Sequence, residues 1–303
     1  MSLTPTTVFA PAKINLYLHL IGRRPDGYHL VDSLVAFADI GDRLTARPAS
    51  AVSLEIIGDE AEGLAAERDN LVLRAARLLA DHAGINVGAA LLLEKNLPVA
   101  SGIGGGSADA AAALRALRDL WRVAMDDAAL ARLGERLGAD VPVCIYGRAA
   151  WVAGVGDRVE FLPELPAAGV LLVNPRRPLA TGAVFNARRG PFGSTAMRFA
   201  PMPRDAAALA QALAPLRNDL TEAAVELVPE IGETLAVLGR LSGALIARMS
   251  GSGATCFALF ADRAAAERGR DELAVEQPGW WCAAGALIAE SRRGDLDFDQ
   301  AFC

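Results

Sequence analysis

Four glycines stand close together in the segment Pro98-Val-Ala-Ser-Gly-Ile-Gly-Gly-Gly-Ser-Ala-Asp109. Glycine removes the side chain at positions where a ligand must approach the backbone. The segment lies between a predicted strand and a predicted helix, whose first N–H groups and positive dipole end face the loop, an arrangement that binds phosphate. We expect Ser107 to cap this helix. The predicted phosphate-binding residues are Pro98, Val99, Ala100, Ser101, Gly102, Ile103, Gly104, Gly105, Gly106, Ser107 and Ala108.

Two better-known glycine motifs do not fit this loop. A dinucleotide fingerprint starting at Gly102 would need glycine at Ser107, and a P-loop would need a Gly-Lys pair, which the chain lacks. A tight turn without a ligand is the remaining alternative, but one or two glycines suffice for a turn. Asp109 falls in the first helical turn, where we expect it to stabilise the helix terminus rather than contact phosphate.

Lysine is rare in this chain. Of the 30 lysine and arginine residues, only Lys13 and Lys95 are lysine, and a compact ammonium differs chemically from a planar guanidinium. In a chain that otherwise uses arginine, the two lysines suggest sites where the ammonium matters, and chance is the alternative. From Lys13 to Leu20, apolar residues alternate strictly with polar ones, which predicts a strand with Lys13 and Asn15 on the same face.

Two further segments are ambiguous by themselves. In Leu137-Gly-Ala-Asp-Val-Pro-Val143, Asp140 follows a helix end and precedes a new helix or turn, so a capping or turn role accounts for it. In Met249-Ser-Gly-Ser-Gly-Ala-Thr255, the glycines stand between two apolar strands and indicate a hairpin turn.

Taken together, these motifs resemble the superfamily of galactokinase, homoserine kinase, mevalonate kinase and phosphomevalonate kinase, the GHMP kinases. Its phosphate loop reads Pro-x-x-x-Gly-Leu-Gly-Gly/Ser-Gly/Ser-Ser, and only Ile103 departs from it, in place of Leu. Within the superfamily, the chain is most similar to the branch that phosphorylates the 2-hydroxyl of a cytidine-diphosphate-linked methylerythritol in non-mevalonate isoprenoid biosynthesis. Residues 188–216 resemble it weakly. The matching segments are Pro11-Ala-Lys-Ile-Asn15, Asp26-Gly-Tyr-His29, Asp69-Asn-Leu71, Leu137-Gly-Ala-Asp-Val-Pro142 and Gly251-Ser-Gly-Ala254.

The resemblance implies an ATP-dependent kinase that uses Mg²⁺, with Lys13 and Asp140 as the catalytic pair and no metal held by protein ligands. Phosphoryl transfer asks mainly for positioning, charge stabilisation and a group that accepts the hydroxyl proton, which fits an aspartate beside an ammonium. By the same resemblance, Lys95 and Asn70 approach the adenosine, while Tyr28 and His29 hold the cytosine. Phe185 would stack on the other face of that ring, although an ordinary core phenylalanine is the alternative. The implied acceptor-binding residues are Asn15, Tyr28, His29, Thr181, Phe185, Gly251, Ser252 and Gly253.

Two other functions stay open at this point. One is a kinase of the same superfamily with homoserine, mevalonate or a sugar as acceptor. The other is a nucleotide-binding module without catalysis, which would require the loss of Lys13 or Asp140; both are present.

The elements that must position these residues are mixed strands and helices with hairpin-like pairs, which indicates an α+β fold in both halves of the chain. We predict two domains, an ATP-binding and catalytic domain over residues 1–163 and a substrate-binding domain over 164–303, joined near 162–169 with the active site in the cleft between them. Strands are predicted over 30–38, 43–57, 89–94, 149–161 and 170–173, and helices over 71–83, 107–121 and 126–137. A loop then runs to about residue 203, followed by three helices up to Leu241 and a strand, turn, strand, helix and strand over 244–289.

Composition limits the remaining classes. The 303 residues are 52% hydrophobic with a net charge of −6, and no basic block indicates a nucleic-acid partner. No apolar run approaches the roughly 18 residues that span a bilayer, and the N-terminus lacks the pattern of a secretory signal. The cysteines, Cys144, Cys256, Cys282 and Cys303, are far apart and form no metal or redox motif. These features indicate a cytoplasmic protein whose partner is a small-molecule substrate. We expect a monomer or weak homodimer.

Overall fold

The computed structural model describes residues 4–62, 64 and 70–289, so Asp69 and Cys303 lie outside the described residues. The described chain is an α+β fold, as the sequence predicts. In order, its elements are β1 (Thr6–Arg23), β2 (His29–Ala49), β3 (Ser53–Ile57), α1 (Leu71–Ala83), β4 (Gly88–Glu94), α2 (Gly105–Leu120), α3 (Asp127–Gly134), α4 (Val141–Tyr146), β5 (Ala150–Gly154), β6 (Arg158–Phe161), β7 (Gly169–Asn174), α5 (Thr181–Ala187), α6 (Ala206–Leu213), α7 (Thr221–Leu227), α8 (Glu230–Arg240), β8 (Ile246–Met249), β9 (Cys256–Phe260), α9 (Arg263–Glu276) and β10 (Trp281–Ala286).

The first sheet is built around the long strand β2. Strand β1 pairs antiparallel with β2 along nearly all of its length, while β4 pairs with the end of β2 and β5 with its beginning. Strands β3 and β6 lie at the two outer positions. Helices α1 to α4 cover this sheet, and their alanine and leucine side chains fill one core with those of β2 and β4.

The second sheet comes from the end of the chain and is antiparallel, in the order β10-β7-β9-β8. Helices α7, α8 and α9 contribute apolar residues to the core on one face of this sheet. A third cluster joins the two sheets, since Ile14 and Leu16 of β1 share it with Leu172 and Phe257. The irregular segment 162–168 between the sheets is part of that cluster through Leu162 and Leu165. The exact division into residues 1–163 and 164–303 stays a prediction.

Several element boundaries differ from the predictions. Residues 30–38 and 43–57 are not two strands: β2 continues through Gly41, and a short β3 follows. A Cβ at Gly41 would lie 2.3 Å from the Ala10 carbonyl oxygen, so this glycine permits close approach of β1 rather than a turn. The predicted strand 149–161 is the hairpin β5–β6, and helix α3 ends at Gly134. Helix α5 lies in a segment that was predicted to be a loop. The prediction missed it because the helix has only seven residues and is flanked by proline, arginine and glycine.

In the part of the chain that the structure describes, no helix combines the length and apolar character needed to cross a membrane.

Candidate active site

The glycine-rich loop contacts the late Gly-Ser-Gly turn directly. A Cβ at Gly102 would lie 2.6 Å from the Ser250 carbonyl oxygen, and one at Gly251 would lie 2.5 Å from the Gly102 carbonyl oxygen. The Thr255 amide donates to the Ser101 carbonyl, and the Lys13 amide donates to the Ile103 carbonyl. The loop is therefore held by β1 on one side and by the second sheet on the other.

Helix α2 begins two residues earlier than predicted, and Ser107 is not its cap. Gly104 is the N-cap residue, with φ 65° and no side-chain capping hydrogen bond. The first intrahelical bond runs from the Ala108 amide to the Gly104 carbonyl at 2.8 Å. The amides of Gly105, Gly106 and Ser107 precede this bond, so they have no intrahelical acceptor and can bind an anion.

Lys13 and Asp140 form an ion pair in the cleft. Lys13 Nζ lies 2.8 Å from Asp140 Oδ2, with the lysine side chain 6% exposed and the aspartate 43% exposed. The Lys13 side chain packs against the glycine loop at Gly104, where an added Cβ would lie 3.2 Å from Lys13 Cβ. Asp140 stands at the N-cap position of α4 without a capping hydrogen bond from its side chain. The capping role considered from the sequence is therefore absent, and its exposed carboxylate is available to a ligand.

Lys95 lies deeper than the sequence indicates. Its Nζ binds Asp42 in a short contact and Asp109 Oδ2 at 3.0 Å, and all three side chains are buried. Asp109 therefore holds Lys95, which corrects the expectation that it stabilises the helix terminus. The Asp42 carboxylate also accepts the amides of Asn96 and Leu97, whereas Asp109 Oδ1 has no hydrogen-bond partner.

Burial raises the pKa of Asp109 to about 8, although the Lys95 ammonium opposes the shift. For Lys95, burial disfavours the ammonium, but attraction to Asp109 and Asp42 outweighs it and raises the pKa. Lys95 still lines the cleft, beside the loop: a Cβ at Gly105 would lie 3.2 Å from its Nζ.

Aromatic side chains stand at the other end of the cleft. Tyr28 is 67% exposed, and the His29 and Phe185 ring centroids lie 5.2 Å apart. Burial, followed by the nearby Arg23 and Arg188 guanidinium groups, lowers the pKa of His29. A neutral imidazole has one donor and one acceptor nitrogen, which suits the edge of a nucleobase. Phe185 is half-buried at the cleft wall rather than an ordinary core residue.

Two other predicted positions have local roles. Asn70 Oδ1 accepts the Val72 amide at 2.8 Å and so caps α1, which leaves its NH₂ group for a ligand. Thr181 Oγ1 lies 2.9 Å from Ser252 Oγ, so helix α5 and the late glycine turn meet at the cleft.

The predicted residues converge on one cleft of about 990 Å³. Three of them do not line it. Ile103 and Ala108 are buried in core clusters, and Gly253 lies behind the loop, where a Cβ would be 2.7 Å from the Met249 sulfur. The predicted residues that line the cleft are Lys13, Asn15, Tyr28, His29, Asn70, Lys95, Pro98, Val99, Ala100, Ser101, Gly102, Gly104, Gly105, Gly106, Ser107, Asp140, Thr181, Phe185, Gly251 and Ser252.

Some cleft residues were missed from the sequence. Ser33 reaches the site because β2 pairs with β1, a register that the sequence does not show. Asp109 was noticed but given another role. Others that line the cleft without a sequence signal are Leu18, Arg23, Val31, Val35, Leu64, Val152, Val155, Gly156, Asn186 and Leu220.

The cleft fits a nucleoside triphosphate. A Cβ at Gly102 would meet the late glycine turn, and one at Gly104 or Gly105 would meet Lys13 or Lys95, so these glycines let the loop pack closely against its neighbours. The start of α2 supplies donors for phosphate oxygens. Among the described residues, no group of three or more His, Cys, Asp or Glu side chains could form a metal cage. Mg²⁺ does not need one, since it is often held by substrate phosphates, waters and one or two carboxylates.

Known proteins resemble this chain over most of its length. The family models "GHMP kinases N terminal domain" and "GHMP kinases C terminal" match residues 70–148 and 200–277. A protein of Paramagnetospirillum magneticum named 4-diphosphocytidyl-2-C-methyl-D-erythritol kinase is 50% identical, over 95% of this chain and 100% of its own. A protein of Rhodospirillum rubrum with the same name is 51% identical, over 94% of this chain and 93% of its own.

The chain belongs to the GHMP kinases, in the family of 4-diphosphocytidyl-2-C-methyl-D-erythritol kinases.

Solved structures extend the comparison. The crystal structure of a 4-(cytidine 5'-diphospho)-2C-methyl-D-erythritol kinase is 36% identical with a TM-score of 0.77, covering 93% of this kinase and 99% of that chain. The homoserine kinase of Cytophaga hutchinsonii is 19% identical with a TM-score of 0.66, covering 95% of this chain and 96% of its own. The latter likeness shows the fold alone. The α+β fold of two GHMP kinase regions and the ATP-dependent kinase class are thus confirmed.

Proposed function

We propose that this kinase transfers the γ-phosphoryl group of ATP to the 2-hydroxyl of 4-diphosphocytidyl-2-C-methyl-D-erythritol, in non-mevalonate isoprenoid biosynthesis. The observation that carries the chemistry is the Lys13–Asp140 ion pair of 2.8 Å beside the glycine loop. The acceptor is supported by the names of relatives that are about half identical over nearly their whole length.

In this proposal, Asp140 accepts the proton of the attacking hydroxyl. Its carboxylate is exposed to the cleft, and Lys13 donates to Oδ2, so Oδ1 is directed elsewhere and can meet the hydroxyl. The Lys13 ammonium orients the carboxylate and offsets negative charge on the transferring phosphoryl group. Both groups are positioned by backbone elements, β1 and the start of α4.

The amides of Gly105, Gly106 and Ser107 bind the phosphates of ATP in this proposal. The adenosine extends toward Asn70 and Lys95, which line the same cleft. Mg²⁺ would enter with the triphosphate and neutralise part of its charge.

The cytidylyl group occupies the aromatic end. Tyr28 and Phe185 offer ring faces for stacking, and neutral His29 offers hydrogen bonds to the base. Asn15, Thr181, Gly251 and Ser252 line the same cleft. A homoserine or mevalonate acceptor would leave the aromatic end without a ligand, and the kinases of that type found by comparison share only the fold.

We also propose a cytoplasmic monomer or weak homodimer. Support comes from Cys144 and Cys256, which are buried free thiols, as expected in a reducing compartment. Light scattering at micromolar protein checks the oligomeric state; a tight higher oligomer would overturn it.

The function is tested by measuring ADP formation with ATP, Mg²⁺ and each acceptor in turn. The cytidylyl substrate should give the highest kcat/KM, and 2-C-methyl-D-erythritol 4-phosphate, which lacks the cytidylyl group, a much lower one. ATP binding without ADP formation from any alcohol would favour the non-catalytic module. Faster turnover of homoserine or mevalonate would favour the other kinases.

A further inference from the structure

Asn15 carries an unsatisfied buried oxygen in the cleft. The residue is 5% exposed and lines the cleft, yet its Oδ1 has no hydrogen-bond partner. A buried acceptor that is left unpaired destabilises the protein. The absence of a partner within the described chain therefore points to a donor supplied by a ligand.

The orientation of the Asn15 amide follows from a chain of hydrogen bonds. Ser33 Oγ lies 2.5 Å from the Tyr17 carbonyl oxygen, and a carbonyl can only accept, so the single hydroxyl proton of Ser33 is used there. Ser33 Oγ can then only accept from Asn15, whose amide branch lies 2.8 Å away. The NH₂ branch must face Ser33, which assigns the other branch as oxygen by chemistry.

The backbone of Asn15 is fixed in the same manner. The Asn15 amide donates to Ser250 Oγ at 3.1 Å, and Ser250 Oγ donates to the Gly102 carbonyl at 3.1 Å. The residue is thus tied to β2 through its side chain and to the glycine loop through its backbone. Neither end can rotate without breaking a buried hydrogen bond.

We propose that Ser33 is a positioning residue that makes Asn15 an obligatory hydrogen-bond acceptor for a hydroxyl of the acceptor alcohol. The inference rests on the proposed function and adds the polarity of this contact and the residue that sets it. An acceptor oxygen near the Lys13–Asp140 pair selects an alcohol that presents an O–H at that point. It disfavours an analogue with an ether or ketone oxygen there, because two acceptors would face each other.

One other donor, the Lys13 ammonium, lines the same cleft as this oxygen. Lys13 Nζ has three protons and uses one toward Asp140, and Lys13 and Asn15 both line the cleft. If Asn15 Oδ1 accepted a hydrogen bond from Lys13 rather than from the substrate, loss of Ser33 would alter kcat through the catalytic pair. That effect would be the same for the full substrate and for every deoxy analogue.

The test combines Ser33→Ala with substrate analogues that lack one hydroxyl each. In the unmodified protein, one deoxy analogue should show a KM about tenfold above that of the full substrate, the usual worth of one hydrogen bond. In Ser33→Ala, the KM of the full substrate should rise by a similar factor, and the KM of ATP should not change. The KM of the same deoxy analogue should be equal in Ser33→Ala and in the unmodified protein. Ser33→Thr, which retains a hydroxyl, should recover the preference for the full substrate.

Thr234→Val is the matched control, because Thr234 is also a buried hydroxyl that donates to a backbone carbonyl, at 2.8 Å to Glu230, in helix α8. Equal losses in both variants would mean a general stability effect and overturn the proposal. So would a change in kcat alone, or a Ser33→Ala variant that discriminates among the analogues as before.

A second readout separates this proposal from the proposed function. In the nuclear magnetic resonance spectrum of the unliganded protein, the Asn15 side-chain NH₂ should exchange slowly, and Ser33→Ala should make it exchange at least about tenfold faster. If the cytidylyl substrate does not turn over, the proposed function fails while this measurement still tests the amide orientation. Equal exchange in the two proteins would overturn the positioning role of Ser33.

Discussion

At the scale of single residues, the catalytic proposal depends on two side chains from distant parts of the sequence. Lys13 comes from β1 and Asp140 from the start of α4, and they meet at 2.8 Å. The ion pair lies beside the backbone amides of the glycine loop. A proton acceptor and a cation at that point are what phosphoryl transfer to an alcohol requires.

Asp140→Asn tests the proton acceptor. The amide keeps the shape of the carboxylate but not its basicity, so kcat should fall by roughly 10²–10⁴-fold, the usual worth of a positioned acid or base. Nucleotide affinity, measured by calorimetry, should barely change, since the loop amides bind the phosphates. Turnover close to that of the unmodified protein would remove Asp140 from this role.

Lys13→Arg tests whether the ammonium itself matters. The guanidinium retains the positive charge but is bulkier and planar, and the space beside Gly104 is already filled by the lysine side chain. We expect kcat to fall by about 10²-fold, as when one charge-stabilising donor is displaced. A fully active variant would reduce Lys13 to a generic positive charge.

Sequence reasoning succeeded at this scale where strand alternation or a family motif applied. Lys13 and Asn15 both line the cleft, as period-two alternation predicts. It failed for Ser107 and Asp109, because helix start and burial depend on packing. The rarity of lysine marked Lys95 correctly as unusual, but only the folded chain shows that Asp42 and Asp109 surround it.

At the scale of elements, the glycine loop and helix α2 form the phosphate site. Gly104 takes a left-handed φ of 65°, and its missing side chain makes room for Lys13. The sequence predicted the loop between a strand and a helix but placed the helix start two residues late, since serine is a commoner cap than glycine. The contact between the loop and the late Gly-Ser-Gly turn could not be predicted from either segment alone.

Gly104→Ala should impair catalysis beyond its effect on stability. The new Cβ would lie 3.2 Å from Lys13 Cβ, so the lysine or the loop must shift. We expect the KM of ATP to rise and kcat/KM to fall by about tenfold or more, because small displacements of positioning groups are costly.

Gly84→Ala is the matched control for this substitution. Gly84 ends α1 with φ 64°, and a Cβ there meets no atom within 4 Å. Both variants carry the strain of alanine in the left-handed region, about 1–2 kcal/mol, but only the one at Gly104 touches the site. Equal kinetic losses in the two would contradict the role given to Gly104.

Helix α5 carries Phe185, whose stacking role can be tested by Phe185→Ala. Base–aromatic stacking is worth about 1–3 kcal/mol, so the KM of the cytidylyl substrate should rise by roughly 5- to 150-fold. The KM of ATP, which binds at the other end of the cleft, serves as the control. A rise in the KM of ATP instead would place the nucleobase of ATP at this ring.

At the scale of the whole molecule, the cleft is bounded by both sheets and by a shared core. β1 has one role in each half, since it pairs with β2 in the first sheet and packs against β7 and β9 through Ile14 and Leu16. The sequence predicted the α+β class and the order of elements at the end of the chain. It could not predict the shared core, because periodicity identifies an apolar face but not what covers it.

The buried cluster of Asp42, Lys95 and Asp109 should make stability depend on pH. The folded state raises the pKa of Asp109 to about 8, so folding takes up a proton at neutral pH. This contribution to stability is full below the ordinary pKa of an aspartate and is lost as the pH rises through about 8. Asp109→Asn stays neutral, so its free energy of unfolding should fall less between about pH 6 and about pH 9.

Urea unfolding across this pH range measures the difference. Asp81→Asn, on the exposed surface of α1, is the matched control and should follow the unmodified protein. Parallel curves for all three proteins would show that Asp109 is ionised in the folded state.

The most direct test of the account is a competition among acceptors in one reaction. The protein is mixed with ATP labelled in the γ-phosphate, Mg²⁺, and equal concentrations of the cytidylyl-methylerythritol substrate, homoserine and mevalonate, and the labelled products are separated. The account predicts that nearly all label enters the cytidylyl substrate at its 2-hydroxyl, and that Asp140→Asn slows this transfer by roughly 10²–10⁴-fold. Label in homoserine or mevalonate, or at another hydroxyl of the cytidylyl substrate, would contradict it.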